Sequence, residues 1–234
     1  MPAVPAVVEV PAGEFVMGDD GGLPDQRPAH RVRLGAFAMA RFAVTRAEYA
    51  AYRVETGAAC PRGWASPLFA HPRQPVVGVS WLDATAFAAW LAARTGRAFR
   101  LPSEAERERA TRGLAAGLRY PWGAAASPDG RAVAALLRPT VVDETIPNAL
   151  GIHGLADGVH EWCLDWYDTG YYARSPEDAP PGPESGLRRV SRGGSWRHGV
   201  ITTPSAARSS LPQELRYTDY GFRLVEARSL GSGS

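Results

Sequence analysis

The side chains that most often carry out chemistry are few in this sequence, and they lie far apart. Cysteine occurs only at Cys60 and Cys163, neither of them in a metal-type pair, so we expect two buried thiols and no disulfide framework. The histidines also lack the short spacings of a metal site. They are His30, His71, His153, His160 and His198. The sequence therefore predicts no copper, iron or zinc cofactor.

Other short motifs resemble catalytic or phosphate-binding sequences only in part. Ser195 follows two glycines, but the G-x-S-x-G pattern of a nucleophile elbow is broken. Gly193-Gly194 is too short for a phosphate loop, and we expect it to allow a close backbone approach or a bulge. We expect His160, beside Glu161, to be a packed histidine rather than a general base. These motifs predict no catalytic residue.

Residues 192–224 contain the strongest candidate for a binding site. Trp196 and Phe222 flank residues 197–220, which follow neither the period of a strand nor that of a helix. Such a segment is typical of a long loop that carries binding residues. We predict a solvent-facing surface anchored by Tyr217 and Arg197, because aromatic and arginine side chains dominate binding hot spots. The predicted ligand-binding residues are Arg197, His198, Val200, Ile201, Thr202, Thr203, Leu211, Gln213, Leu215, Tyr217 and Thr218.

The elements that must hold this segment are short helices and strands. Three capping boxes predict helices that begin after Thr45, Ser80 and Ser103 and end before Gly57, Gly96 and Gly113. The third helix is dense in charge, and we expect its charged face to be exposed. Short apolar runs within the first forty residues predict strands. We therefore predict one α+β domain over residues 1–234, with few short helices, short antiparallel strands and much irregular ordered chain.

Composition and charge exclude several classes of function. All 26 basic residues are arginine, the net charge is only +2 and the positive residues are scattered, so nothing indicates binding to nucleic acid or to an anionic membrane. The start of the chain lacks signal-peptide features, and no apolar run is long enough to cross a membrane. We therefore expect a cytoplasmic protein. The absence of lysine and the single asparagine, Asn148, indicate a GC-rich bacterium, and the scarcity of asparagine also fits a thermophile.

Several separate motifs resemble one known family. They are VPAGEFVMG, FAVTRAEYAAY, PVVGVSWLDATAFAAW, FRLPSEAERERATRG, RYPWG, NALGIHGLADGVHEWCLDWY, RRVSRGGSW and YGFRLV. In this order they resemble the formylglycine-generating-enzyme domain, also called the sulfatase-modifying-factor domain, over nearly the whole chain. The resemblance implies a C-type-lectin-like fold of the formylglycine-generating-enzyme type. It also implies that residues 192–224 correspond to the family's active-site and ligand-binding face.

The sequence departs from the family at the positions that carry its chemistry. The resemblance implies two cysteine thiolates in this last segment, which hold copper because soft thiolates suit Cu(I). Residues 192–224 contain no cysteine. The family's Gly-Asn-Val-Trp-Glu-Trp block reads DGVHEW at residues 157–162, which leaves Asp157 and Glu161 as weak candidates for calcium ligands. The alternative is that Glu161 pairs with an arginine in the core.

Two interpretations of function stay open at this point. The first is a non-catalytic protein that binds an unknown ligand, expected to be a protein, on a variable surface at residues 197–220. Variable proteins of diversity-generating retroelements resemble it in fold and in a last segment bounded by RGGSW and GFR-type motifs. The second is an ordinary family member with oxidase, oxygenase or other enzymatic activity. Its side chains would meet in a cleft, with Tyr217, Asp219, His198 and Arg197 as candidates.

The missing thiolates give the first testable prediction. A cysteine in a sulfatase-type peptide is expected to stay unchanged when it is incubated with this protein, copper and oxygen. Peptide mass spectrometry makes the measurement, and an authentic formylglycine generator is the positive control. A mass change at the target cysteine in the presence of this chain would contradict the prediction.

Overall fold

The structure, a computed structural model, describes residues 4–113, 117–126, 136–199 and 203–227. Within these ranges the helices are α1 (Arg46–Thr56), α2 (Trp81–Thr95) and α3 (Glu104–Arg112). The strands are β1 (Val7–Val10), β2 (Gly13–Met17), β3 (His30–Leu34), β4 (Phe37–Ala40), β5 (Phe99–Arg100), β6 (His160–Trp166), β7 (Arg189–Arg192), β8 (Arg208–Leu211), β9 (Tyr220–Gly221) and β10 (Val225–Glu226). The α+β class is therefore confirmed. None of the helices in these ranges has both the length and the apolar character needed to pass through a bilayer.

The three helices begin and end where the sequence predicts. At the start of α1, Thr45 Oγ1 accepts a hydrogen bond from Glu48 N, and Glu48 Oε2 accepts one from Thr45 N at 2.7 Å. The same reciprocal pair of bonds precedes α2 and α3. Gly57 and Gly96 end α1 and α2 in the left-handed conformation, which a glycine adopts without steric cost. Because these contacts are local, the sequence alone is sufficient to locate them.

Three sheets organise the rest of the described chain. Their strand orders are β1-β4-β10-β5, β2-β3 and β8-β7-β6-β9. In the third sheet β6 pairs antiparallel with β7 and parallel with β9, so that His160 lies opposite Tyr220. The sequence predicts residues 197–220 to be irregular throughout, and this is wrong in two places. Strand β8 lies inside that segment, where it pairs with β7 along all four residues, and Tyr220 at its end begins β9.

The charged face of α3 is buried, although the sequence predicts it to be exposed. All nine residues of the helix are shielded from solvent. Glu104 accepts hydrogen bonds from Arg208 Nε at 2.7 Å and from Arg192 Nη1 at 3.2 Å, and Glu108 pairs with Arg192. The arginines belong to β7 and β8, so the carboxylates of α3 pair with guanidinium groups that lie much later in the sequence. The local charge pattern contains no sign of that pairing.

A second buried ionic contact joins α3 to β6. Glu161 Oε2 accepts hydrogen bonds from Arg107 Nε at 2.6 Å and from Arg223 Nε at 2.9 Å, and Glu161 Oε1 accepts one from Arg223 Nη2 at 2.6 Å. Arg107 is 1% exposed and the other two side chains are fully buried. A carboxylate that satisfies two buried guanidinium groups is costly to remove, because each cation then lacks its partner.

We expect Glu161→Gln to lower the free energy of unfolding by about 3–5 kcal/mol, since it leaves Arg107 and Arg223 buried without a counter-charge. Urea denaturation followed by circular dichroism measures the effect. The matched control is Glu14→Gln, whose carboxylate is about half exposed and pairs with Arg33 on the surface. Its cost should stay within about 1 kcal/mol. Equal losses in the two variants would contradict the role given to Glu161.

Candidate functional site

A cleft of about 660 Å³ opens beside the sheet β8-β7-β6-β9. It has the size of a small-molecule or cofactor pocket. Most of its lining comes from residues 197–220, and the rest comes from His160 at the start of β6 and from Gly193, which follows β7. The lining residues are His160, Gly193, Arg197, His198, Thr203, Ala207, Arg208, Ser209, Leu211, Tyr217, Asp219 and Tyr220. The segment that the sequence predicts to bind a ligand therefore does border a cavity.

Strand pairing fixes two side chains at the base of this cleft. His160 is the first residue of β6, and its backbone N–H donates to the carbonyl oxygen of Asp219 at 2.9 Å. Asp219 immediately precedes β9, which runs parallel to β6. The two residues are 9% and 7% exposed respectively. Their positions are therefore set by a backbone ladder and not by a mobile loop.

A tight backbone approach positions the third side chain, His198. A Cβ at Gly194 would lie 2.1 Å from the carbonyl oxygen of Ala156, and Gly193 has a φ of +80°. Both glycines are thus required by geometry, which confirms the expected close backbone approach. Trp196 N then donates to Gly158 O at 2.9 Å, and His198 N donates to Ser195 O at 2.9 Å. These contacts place His198 at the cleft edge, where it is exposed.

The fold brings His160, His198 and Asp219 together. One potential ligand atom of each lies within 4.8 Å of those of the other two. His198 Nε2 lies 3.9 Å from Asp219 Oδ2, and the two imidazole rings meet edge to face with centroids 5.2 Å apart. The sequence-based argument judges the histidines by their spacing along the chain, whereas β6, β9 and the turn after Ser195 bring two of them together in space.

The electrostatic environment keeps His160 neutral. The pKa of His160 is lowered to about 4, mainly by burial; the charge of Asp219 opposes the shift, and the neighbouring His198 adds to it. A neutral imidazole retains a lone pair for accepting a proton or for binding a metal. His160 was expected to be a packed histidine, and it is indeed buried, but it also faces the cleft.

The predicted ligand-binding residues divide into separate groups in the structure. Arg197, His198, Leu211 and Tyr217 line the cleft. Thr203 also lines it but is buried, with its hydroxyl donating to Ala156 O at 3.2 Å, so its prediction as a solvent-facing residue is wrong. Three more do not line the cleft, namely Gln213, Leu215 and Thr218. The last three, Val200, Ile201 and Thr202, lie outside the described residues.

Seven lining residues escaped the sequence-based list of binding residues, and the sequence suggested one of them, Asp219, only for an enzyme. The seven are His160, Gly193, Ala207, Arg208, Ser209, Asp219 and Tyr220. Tyr220 packs against the His160 ring with centroids 4.8 Å apart. The short motifs HEW and DYG contain these residues, but neither motif has a period or a spacing that predicts the parallel pairing of β6 with β9. Their convergence is a property of the tertiary structure.

The calcium candidates have different surroundings. Both Glu161 oxygens accept hydrogen bonds from arginine, which is the alternative interpretation in which Glu161 pairs in the core. Asp157 Oδ2 accepts from Ile146 N at 3.1 Å, whereas its Oδ1 has no partner. Burial raises the pKa of Asp157, and this disfavours the charged form that calcium requires. Calcium binding at Asp157 stays a prediction.

The cysteines do not fit a copper site of the thiolate type. Cys60 is exposed, so the expectation that both thiols are buried is wrong for this residue. Cys163 is buried in β6, where burial raises its thiol pKa and so disfavours the thiolate. Neither cysteine lines the cleft. The cleft therefore lacks the pair of soft ligands that a thiolate site for Cu(I) needs.

Comparison with known proteins identifies the family. The sulfatase-modifying factor enzyme 1-like domain matches residues 1–228 of this chain. A formylglycine-generating enzyme of Streptomyces coelicolor is 34% identical to it, covering 97% of this chain and 91% of that enzyme. The chain belongs to the sulfatase-modifying factor enzyme 1-like domain family. The family assignment made from sequence motifs is confirmed.

Solved structures show the same fold. PvdO from Pseudomonas aeruginosa is 30% identical, has a TM-score of 0.81, and the match covers 96% of this chain and 95% of PvdO. Treponema denticola variable protein 1 is 22% identical with a TM-score of 0.77, and the match covers 94% of each chain. The C-type-lectin-like fold of the formylglycine-generating-enzyme type is thus confirmed for this family member.

The division of residues 197–220 between cleft and core gives a prediction about stability. Leu215→Ala and Tyr217→Ala change exposed side chains and are expected to alter the free energy of unfolding by only about 0.5 kcal/mol. Phe222→Ala removes a fully buried ring and is expected to cost about 3–5 kcal/mol. Thermal unfolding of the single variants makes the comparison. If the exposed pair lost as much stability as Phe222→Ala, residues 215 and 217 would belong to the core.

Proposed function

We propose that this chain binds a ligand in the cleft bordered by residues 197–220. The observation that supports this most directly is the arrangement of the cleft. Its base is held by β6 and β9, while Arg197, His198 and Tyr217 reach its solvent-exposed edge. A rigid scaffold that presents exposed side chains from a connecting segment is a common arrangement for binding sites.

The chemistry of the rim suggests the kind of ligand. Arginine and tyrosine are the side chains that most often dominate binding free energy. Leu215 and Tyr217 are 40% and 42% exposed, so an apolar surface continues next to the cleft. Such a surface supports a partner protein that inserts a side chain into the cleft. The identity of that protein and a cytoplasmic location for the interaction stay predictions.

Diversification of the segment by a retroelement is the finer part of this proposal. Ser205 and Ala206 are buried, and Arg208 pairs with Glu104, so these residues serve the core. Variation is therefore expected at the exposed positions and not along the whole of residues 197–220. Sequencing of the flanking DNA should then reveal a reverse transcriptase gene and a second copy of the codons for residues 192–224 that differs at adenines. Without that copy, the protein is a fixed ligand-binding family member.

One observation favours an enzymatic function as the second candidate. Tyr217, Asp219, His198 and Arg197, the side chains that the sequence suggests for an enzyme, all line the same cleft. A buried neutral imidazole at His160 adds a group able to accept a proton. The formylglycine-generating enzyme among the relatives supports an enzymatic function, although the thiolate pair implied by the family resemblance is absent here.

Binding in the cleft can be tested with a library of metabolites and short peptides and thermal-shift measurements. A compound that binds there should stabilise the wild-type protein, by about 2.7 kcal/mol at 100 times its Kd. It should have a weaker effect on the double variant Arg197→Ala, Tyr217→Ala. Val54→Ala, an exposed change on α1, is the control and should respond as the wild type does. Compounds that stabilise the double variant equally well would place binding elsewhere.

A further inference from the structure

We propose that His160, His198 and Asp219 bind one divalent transition-metal ion at the base of the cleft. The three side chains come from the start of β6, the turn after Ser195 and the residue before β9. One potential ligand atom of each lies within 4.8 Å of those of the other two. The site lies within the cleft, so an ion there would be reachable from solvent.

The donor set indicates the class of metal. Two imidazoles suit zinc, copper, iron and nickel, whereas calcium and magnesium prefer oxygen ligands throughout. Structural zinc sites usually have four protein ligands, whereas catalytic sites have three and keep a position open. Two histidines and one carboxylate therefore correspond to an open site for a first-row divalent ion. The remaining coordination positions would face the cavity.

Unpartnered buried atoms provide a second and independent observation. His160 Nδ1 and Asp219 Oδ1 are both buried, and neither has a hydrogen-bond partner. A buried polar atom without a partner costs about 1–3 kcal/mol. Asp219 Oδ2 has a neighbour in Ser195 Oγ at 3.4 Å, so the carboxylate is oriented and its other oxygen remains available. These two atoms are therefore available as ligand atoms for an ion.

The backbone contacts make this arrangement stable before an ion binds. The His160 N–H donates to Asp219 O and so joins two of the ligand residues directly. Ser195 links the third to them, because its carbonyl oxygen accepts from His198 N and its hydroxyl donates to Asp219 Oδ2. Only His198 is exposed, so its ring is the one able to rotate towards an ion. Ligand distances of about 2.0–2.2 Å then require a small contraction of the cluster.

This metal site goes beyond the proposed ligand binding and does not depend on it. An organic ligand can contact Arg197 and Tyr217 without an ion, and an ion can bind the three ligands in an otherwise empty cleft. The two proposals therefore fail separately. Compound binding by a wild-type protein that binds no Co(II) or Zn(II) would show that only the cleft function holds.

Titration of tag-free, chelator-treated protein with CoCl₂ tests the site, since bound Co(II) gives visible absorption bands. The wild-type protein is expected to bind one Co(II) per chain, and Zn(II) added in equal amount should displace it. Loss of a residue that only hydrogen-bonds a metal ligand weakens metal binding roughly 10- to 100-fold. His198→Ala and Asp219→Asn each change a ligand itself, so each should weaken Co(II) binding by more than that. Both changes preserve the buried His160, and thermal unfolding without metal checks that each variant is folded.

The matched control is His71→Ala, which removes an exposed histidine outside the cluster. It should bind Co(II) as the wild type does. The proposal is overturned if the wild-type protein binds no Co(II) or Zn(II), or if His198→Ala and Asp219→Asn bind as tightly as His71→Ala. Thermal unfolding supplies a second readout, because Zn(II) should raise the Tm of the wild type and of His71→Ala but not of the two ligand variants.

Discussion

Glu161 lies between Arg107 and Arg223, and all three side chains are buried. The rest of the structure depends on this ionic contact. It joins α3, β6 and the residues before β10 through a single carboxylate. Because an unpaired charge in that position is strongly unfavourable, the contact fixes how these elements meet. Successive side chains of a strand point to opposite faces. The register that directs Glu161 to the arginines therefore also directs its neighbour His160 to the cleft.

The cleft presents nitrogen and oxygen donors. Neither cysteine lines it, whereas imidazole and carboxylate groups do. Donor type decides which ions and reactions a site supports. A shared fold with a formylglycine-generating enzyme and with a variable protein is thus compatible with a function that differs from both. The function therefore has to be inferred from the side chains of the site, which the fold holds in position.

Residues 197–220 serve two purposes at once. Strand β8 and Arg208 complete the sheet and the ionic contacts of α3, whereas Arg197, His198 and Tyr217 line the cleft. A segment that extends a sheet cannot change all its residues without cost, since its inward side chains are packed. This physical division explains why an irregular loop throughout is the wrong expectation for the segment, although part of the segment does line a cavity.

The sequence by itself determined the features that depend on contacts between near neighbours. The capping boxes at Thr45, Ser80 and Ser103 needed only residues three positions apart, and Gly193-Gly194 indicated a close backbone approach. Only the tertiary structure decided the pairings over long separations. Arg107 and Glu161 are 54 residues apart, and Arg208 and Glu104 are 104 residues apart, so no local pattern shows that α3 is buried. The same is true of His160, His198 and Asp219, because the parallel pairing of β6 with β9 and the turn after Ser195 place them together only when the chain is folded.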